Sequence, residues 1–73
     1  MVLISYVKPY IVIRSDKLIS GCITIIGKEQ DVLWENEFRN KDFISVKTKE
    51  HWHNNVKVVV LAGQHELKKE LSI

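Results

Sequence analysis

The sequence contains few of the residues that small proteins use to cross-link themselves or to carry out chemistry. Cys22 is its only cysteine, so no disulfide can form within the chain. This thiol lies in an apolar run, and we expect it to be buried and inert. No Gly-x-Ser-x-Gly sequence or comparable motif frames a nucleophile. The sequence therefore predicts no catalytic residue, no cofactor and no enzymatic activity.

Long apolar segments and concentrated charge are also missing. No stretch approaches the roughly 20 apolar residues that span a bilayer, so we expect no membrane insertion. The apolar start at residues 2–7 is short and lacks the basic and small-residue segments of a signal peptide. The 11 Lys and Arg are interspersed with 9 Asp and Glu, for a net charge of +2. Dedicated nucleic-acid binders usually concentrate their basic residues in a stripe instead.

The most apolar and most β-branched run covers residues 56–62 and is followed by Gly63. Asn54 and Asn55 precede it. A run of about 4–8 such residues between turn-forming residues is typical of a strand that is buried on both faces. We expect this run to be the central strand of one small β-domain, residues 1–73.

Further strand-like segments recur about every 8–12 residues with turn signals between them, which is typical of a β-sandwich or a β-barrel. Turns are predicted at residues 15–17 and 39–42. In residues 32–38, the alternation places Val32, Trp34 and Phe38 on the face toward the core and Leu33 on the opposite face. The other predicted strands are residues 2–7, 10–14, 22–26, 32–38, 43–48 and 66–73.

The last segment is ambiguous, because Leu67 and Leu71 fit the alternation of a strand and also the spacing of a helix. The prediction is an all-β, antiparallel sandwich of six or seven strands. The alternatives are a small β-barrel, or a β-domain that ends in a short helix.

The run at residues 21–27, the segment at 32–35 and the Val-rich strand near the C-terminus resemble small immunoglobulin- or fibronectin-III-like β-sandwich modules. The chain is similar, over residues 10–73, to the short sandwich domains in secreted and cell-envelope proteins of gut-type bacteria. The connection at 28–31 lacks the glycine that is usual in that pattern. The resemblance implies an immunoglobulin-like sandwich that acts as an interaction or spacer module. It also implies a periplasmic or secreted location, in place of a cytoplasmic one, and carries over no functional residues.

The most suggestive local feature is the loop that contains Trp52. This tryptophan either folds back over the core or lies exposed as a contact residue, since Trp is enriched at binding hot spots. We select Trp52, His51, His53 and Lys49 as candidate binding residues for a protein or a glycan. An extended loop would point His51 and His53 to one side, with His65 as a third metal ligand. The surrounding polar sequence favours exposed loop histidines, and no metal site is predicted.

Edge strands give a second route to binding, because an open edge can pair with a strand of another chain. We expect the edges to be the first strand, which Pro9 ends, and the last strand. Either could mediate self-association or capture of a protein partner. The alternative function is a small basic β-protein that binds nucleic acid or inhibits a nucleic-acid machine. Its candidate surface combines basic residues with an aromatic one: Arg39, Lys47, Lys49, Trp52 and Lys57.

Overall fold

The computed structural model describes residues 1–73, and all of its regular structure is antiparallel β-sheet. The predicted all-β class is confirmed, but the chain has five strands where six or seven were expected. The last segment is a strand and not a helix. The strands are β1 (Val2–Val7), β2 (Tyr10–Ile26), β3 (Val32–Lys47), β4 (Asn55–Ala62) and β5 (His65–Ser72).

The lower strand count arises because β2 and β3 each combine two predicted strands. The turns predicted at 15–17 and 39–42 are wrong: neither segment contains glycine or proline, and each lies within one continuous strand. The sheet bends there instead, through register shifts between Arg14 and Ile19 and between Ile19 and Gly21. Asn40 adopts a left-handed conformation in the bent part of β3, with φ of 52°.

The long strand β2 organises the sheet. β3 pairs with it along both of its halves, whereas β1 and β4 share its other side. β1 lies beside the first half of β2, and β4 lies beside the second half, from Gly21 to Ile26. β5 pairs with β4, and the sheet curls until β1 lies next to β5. The result is a half-barrel in which β2, and not the predicted residues 56–62, has the most partners.

The hydrophobic core fills the concave, inner face of this curled sheet. Alternate residues of β2 and β4 point into it, and Val58 and Ile25 are fully buried at adjacent positions. The prediction that β4 is buried on both faces holds at Val59, but Leu61 is 43% exposed. The core residues are Ile4, Ile11, Ile13, Ile23, Ile25, Val46, Trp52, Val56, Val58, Val60 and Leu71.

The faces of β3 follow the prediction except at its start. Trp34 and Phe38 pack against the core as expected, each partly buried. Val32 is 61% exposed, and Leu33 packs against the core in its place. A register shift explains the exchange, because Ile25 pairs with Trp34 but Ile26 pairs with Val32, which leaves Leu33 as an extra residue.

Two of the three connections that join paired neighbouring strands contain a left-handed residue. Gln30 takes φ of 66° in the turn after Gly27. Gly63 takes φ of 62° in the β4–β5 hairpin, a conformation that glycine adopts without steric cost. The β1–β2 connection contains Pro9, whose peptide bond is cis.

Candidate functional site

The convex face of β1, the first half of β2 and the end of β3 forms a surface that we call the outer patch. Three rows of directly opposed residues cross these strands, and their side chains point away from the core. The rows are Leu3–Arg14–Phe43, Ser5–Val12–Ser45 and Val7–Tyr10–Lys47.

The outer patch is apolar to an unusual degree for a solvent-facing surface. Leu3, Val7, Tyr10 and Phe43 are 58%, 61%, 42% and 49% exposed, respectively. Val12, at the centre, is only 7% exposed and lies between the larger side chains of the two flanking rows. Single exposed apolar side chains are ordinary, but a contiguous group of them marks an interaction surface.

The charge on the outer patch has one sign. The guanidinium carbon of Arg14 lies 5.1 Å from the centre of the Phe43 ring, a cation–π arrangement that holds both side chains over the sheet. Lys47 stands opposite Tyr10, and none of the nine residues is acidic. Just beyond the patch, the amino-terminal ammonium of Met1 donates a hydrogen bond to Asp16 and thereby lowers the pKa of that carboxyl.

The convex face of the other half-sheet is different, because it carries carboxylates. Thr24 donates a hydrogen bond of 2.9 Å to Glu35, and Lys68 forms an ion pair of 3.2 Å with Glu66. Glu37 and Glu70 lie on the same face. The apolar, cationic surface is thus confined to one end of the sheet.

The loop that contains Trp52 adopts the first of the two predicted arrangements. Trp52 is 4% exposed and belongs to the core, and its backbone N–H donates to the carbonyl of Lys49 at 2.9 Å. Its indole Nε1 is buried and has no hydrogen-bond partner. The ring of His51 meets the indole edge-on, with centroids 6.2 Å apart. The indole therefore closes one end of the core and is not on the surface.

The other predicted binding residues of this loop are exposed. His51 and His53 line a cleft of about 410 Å³ between the loop and the turn at residues 27–31. Lys49 also lies at the surface, beside a separate depression near Pro9. Nothing in this cleft concentrates charge of one sign, since Lys28, Glu29 and Asp31 share it.

The three histidines do not come together. His65 begins β5 opposite Ala62, at the far end of the β4–β5 hairpin from the loop of His51 and His53. Seven residues of strand separate the two ends, or about 23 Å at about 3.3 Å per residue. No three His, Cys, Asp or Glu side chains lie close enough together to hold a metal ion.

Cys22 is half-buried on the convex face, which differs from the predicted position in the core. Ile23 and Ile25 point inward, and successive residues of a strand point to opposite faces, so Cys22 points outward. There it lies between Glu37 and Leu61. An apolar run alone could not show which of its residues face the core.

The edges of the sheet were predicted incompletely. β1 and β5 each pair on one side only, as expected, but they lie beside each other at the seam of the half-barrel. β3 pairs only with β2 and is therefore the longest open edge, 16 residues in length. Sequence reasoning missed this edge because it divided β3 at residues 39–42.

The basic residues that were predicted to bind nucleic acid do not form one surface. Lys47 lies on the outer patch, whereas Lys57 lies on the convex face of β4 and Trp52 is buried. The aromatic residues near Lys47 are Tyr10 and Phe43, which were not predicted as site residues. A signal for Tyr10 existed, because residues 10–13 are all apolar, so both faces of that strand carry apolar side chains.

No helix of the structure is long and apolar enough to cross a membrane. Compared with known proteins, the chain matches no family model and no curated protein sequence.

Proposed function

We propose that this chain is a non-enzymatic interaction module that binds a protein partner through the outer patch. The observation that supports the proposal is the exposure of Leu3, Val7, Tyr10 and Phe43 on one face of the sheet, around Val12. The apolar surface of these side chains is removed from water only when another molecule covers it. That burial favours association.

The chemistry of the patch is that of a binding hot spot. Tyrosine and arginine are enriched where interface energy concentrates, and Tyr10 and Arg14 lie on the same face of β2, on either side of Val12. Ser5 and Ser45 have short side chains, so the surface is lower at the central row, on both sides of Val12, than at the two flanking rows. All nine residues belong to strands, so little conformational entropy is lost when a partner binds.

The resemblance to immunoglobulin- and fibronectin-III-like modules agrees with an interaction or spacer role. A location in the bacterial cell envelope, and the immunoglobulin-like type of the fold, remain predictions from that resemblance alone. The predicted loop residues His51, His53 and Lys49 are exposed and form a second, smaller candidate surface.

The test uses a displayed library of random peptides that is selected on the wild-type chain. We expect peptides that bind the wild type and lose affinity at least about tenfold with Phe43→Ser, the loss typical of a hot-spot residue. The matched control is Leu61→Ser, because Leu61 is also exposed on the convex face but lies outside the outer patch. This control should bind as the wild type does.

Amide chemical shifts then locate the bound peptide. Changes concentrated at Leu3, Val7 and Ser45 would support the outer patch as the binding surface. Changes concentrated around His51 and His53, or equal binding by Phe43→Ser, would contradict it. A selection that yields no patch-dependent peptide would also contradict it.

A second candidate function is binding of single-stranded nucleic acid. It is favoured by two exposed aromatic rings, Tyr10 and Phe43, with Arg14 and Lys47 beside them and no carboxylate on the patch. Bases stack on such rings while cations contact the phosphates. Titration with oligothymidine should then show binding that weakens steeply with salt. Absence of binding at low salt would exclude this function.

A further inference from the structure

The open edge of β3 is unprotected over one short segment. Soluble proteins protect edge strands with charged side chains, bulges or covering elements. Up to Asp42, β3 carries alternating charges, a bulge at Leu33 and the left-handed residue Asn40. The next four residues, 43–46, are Phe, Ile, Ser and Val and carry no charge.

The other two edges are protected. β1 is also uncharged, but β5 lies beside it, and the Lys69 ammonium donates a hydrogen bond of 2.8 Å to the carbonyl of Ile4. β5 itself carries Glu66, Lys68 and Glu70 along its exposed length. The end of β3 is therefore the one edge of the sheet that is apolar and also uncovered.

We propose that a second copy of this chain pairs with this edge, strand against strand and antiparallel, through residues 43–47. A twofold axis at Ser45 would place Ser45 opposite the partner's Ser45. The same axis would place Ile44 opposite the partner's Val46 and Phe43 opposite the partner's Lys47. Two copies would then share one continuous sheet, in which the backbone N–H and C=O groups of both edges are paired.

Each of these pairings is chemically favourable, which argues for a second copy as the occupant. Ile44 points to the inner face but remains half-buried at the edge, and the partner's Val46 would cover it with apolar surface. Phe43 already has Arg14 over its ring, and the aliphatic stem of the partner's Lys47 would cover the exposed edge of the ring while its ammonium stays in water. A segment that complements itself about a twofold axis is what an isologous dimer requires.

This inference goes beyond the proposed function, because it concerns the edge of β3 and not the convex face. It leaves the part of the outer patch on β1 and β2 uncovered, and it joins the patches of two copies along β3 into one surface. Failure of the dimer would therefore leave peptide binding by the patch intact, and the two experiments are separate.

The test is disulfide trapping in a Cys22→Ser background, which removes the only native thiol. Ser45→Cys places a thiol at the proposed twofold axis. The matched control is Ser5→Cys, because Ser5 and Ser45 are both exposed and lie on either side of Val12. Both variants are incubated in a buffer of reduced and oxidised glutathione, and the disulfide-linked dimer is measured.

We expect Ser45→Cys to form the dimer in at least about tenfold excess over Ser5→Cys, because directly opposed residues bring their Cβ atoms to about 4.5–5.5 Å. Equal dimer formation by both variants would indicate contact between outer patches and would overturn the proposal. Dimer from Ser5→Cys alone would assign the contact to β1 and would overturn it as well. So would the absence of dimer from both.

Sedimentation equilibrium tests the same contact without cysteine. The wild-type chain should self-associate at concentrations up to about 1 mM, the range in which a small interface is populated. Ser45→Lys places two like charges opposite each other and should weaken association about tenfold or more, whereas Ser5→Lys should not. A wild-type chain that stays monomeric over this range, or equal effects of the two lysines, would overturn the proposal.

Discussion

The ammonium of Lys69 donates a hydrogen bond of 2.8 Å to the backbone carbonyl of Ile4. The two residues are 65 positions apart and belong to β5 and β1, the strands that meet at the seam of the half-barrel. Lys69 interrupts the apolar alternation of its strand and lies opposite Val58, on the inner face. Its side chain thus crosses the seam at a point where the two backbones do not pair.

Replacing Lys69 by methionine should destabilise the half-barrel. The substitution keeps the apolar stem and removes the hydrogen bond to the Ile4 carbonyl, so we expect a loss of about 1–2 kcal/mol in the free energy of unfolding. Urea denaturation measures it. Lys68→Met is the control, because Lys68 is exposed and its ion pair with Glu66 contributes little. Equal losses for the two variants would show that the hydrogen bond does not stabilise the seam.

Trp52 should be more important for stability than its position in a polar loop indicates. Trp52→Ala removes a core side chain and should cost about 3–5 kcal/mol. Trp52→Phe should cost less than about 1.5 kcal/mol, because it also removes the buried Nε1–H that has no partner. Thermal and urea unfolding compare the two. A phenylalanine variant as unstable as the alanine variant would show that the indole N–H is satisfied in solution.

Gly21 and Gly63 should respond differently to the same change. A Cβ at Gly21 would lie 1.7 Å from the carbonyl oxygen of Leu61, so Gly21→Ala must displace the backbone between β2 and β4. We expect it to unfold most of the chain at 25 °C. A Cβ at Gly63 would have no atom within 4 Å, so Gly63→Ala strains only the left-handed turn. We expect a loss of about 1 kcal/mol in the free energy of unfolding. Circular dichroism distinguishes the two, and a folded Gly21→Ala variant would contradict this description of the β2–β4 contact.

Cys22→Ser should be nearly neutral, with a loss below about 1 kcal/mol. The thiol is half-buried on the convex face, where a hydroxyl remains accessible to water. Ile23→Ser is the contrasting variant, because Ile23 is 1% exposed in the core, and it should unfold the chain. Urea denaturation measures both variants. A loss of several kcal/mol for Cys22→Ser would indicate that the thiol is packed in the core.

The candidate site shows where sequence reasoning reached its limit. The four residues selected in the loop were plausible as surface groups, yet the one with the strongest rationale, Trp52, is in the core. The exposed aromatic residues Tyr10 and Phe43 were assigned only to strands. A side chain's face depends on strand register, and a shift of one residue reverses it, as at Val32 and Leu33.

By itself, the sequence determined the local structure of this protein. β-branched runs with alternating polarity produced extended strands, and Gly63 produced the last hairpin, because these preferences act over a few residues. The tertiary structure alone decided how the strands combine. The bends in β2 and β3, the contact of Lys69 with Ile4, and the row that joins Leu3, Arg14 and Phe43 all depend on residues far apart in the chain. Such contacts form only when the whole core closes, so no local pattern specifies them.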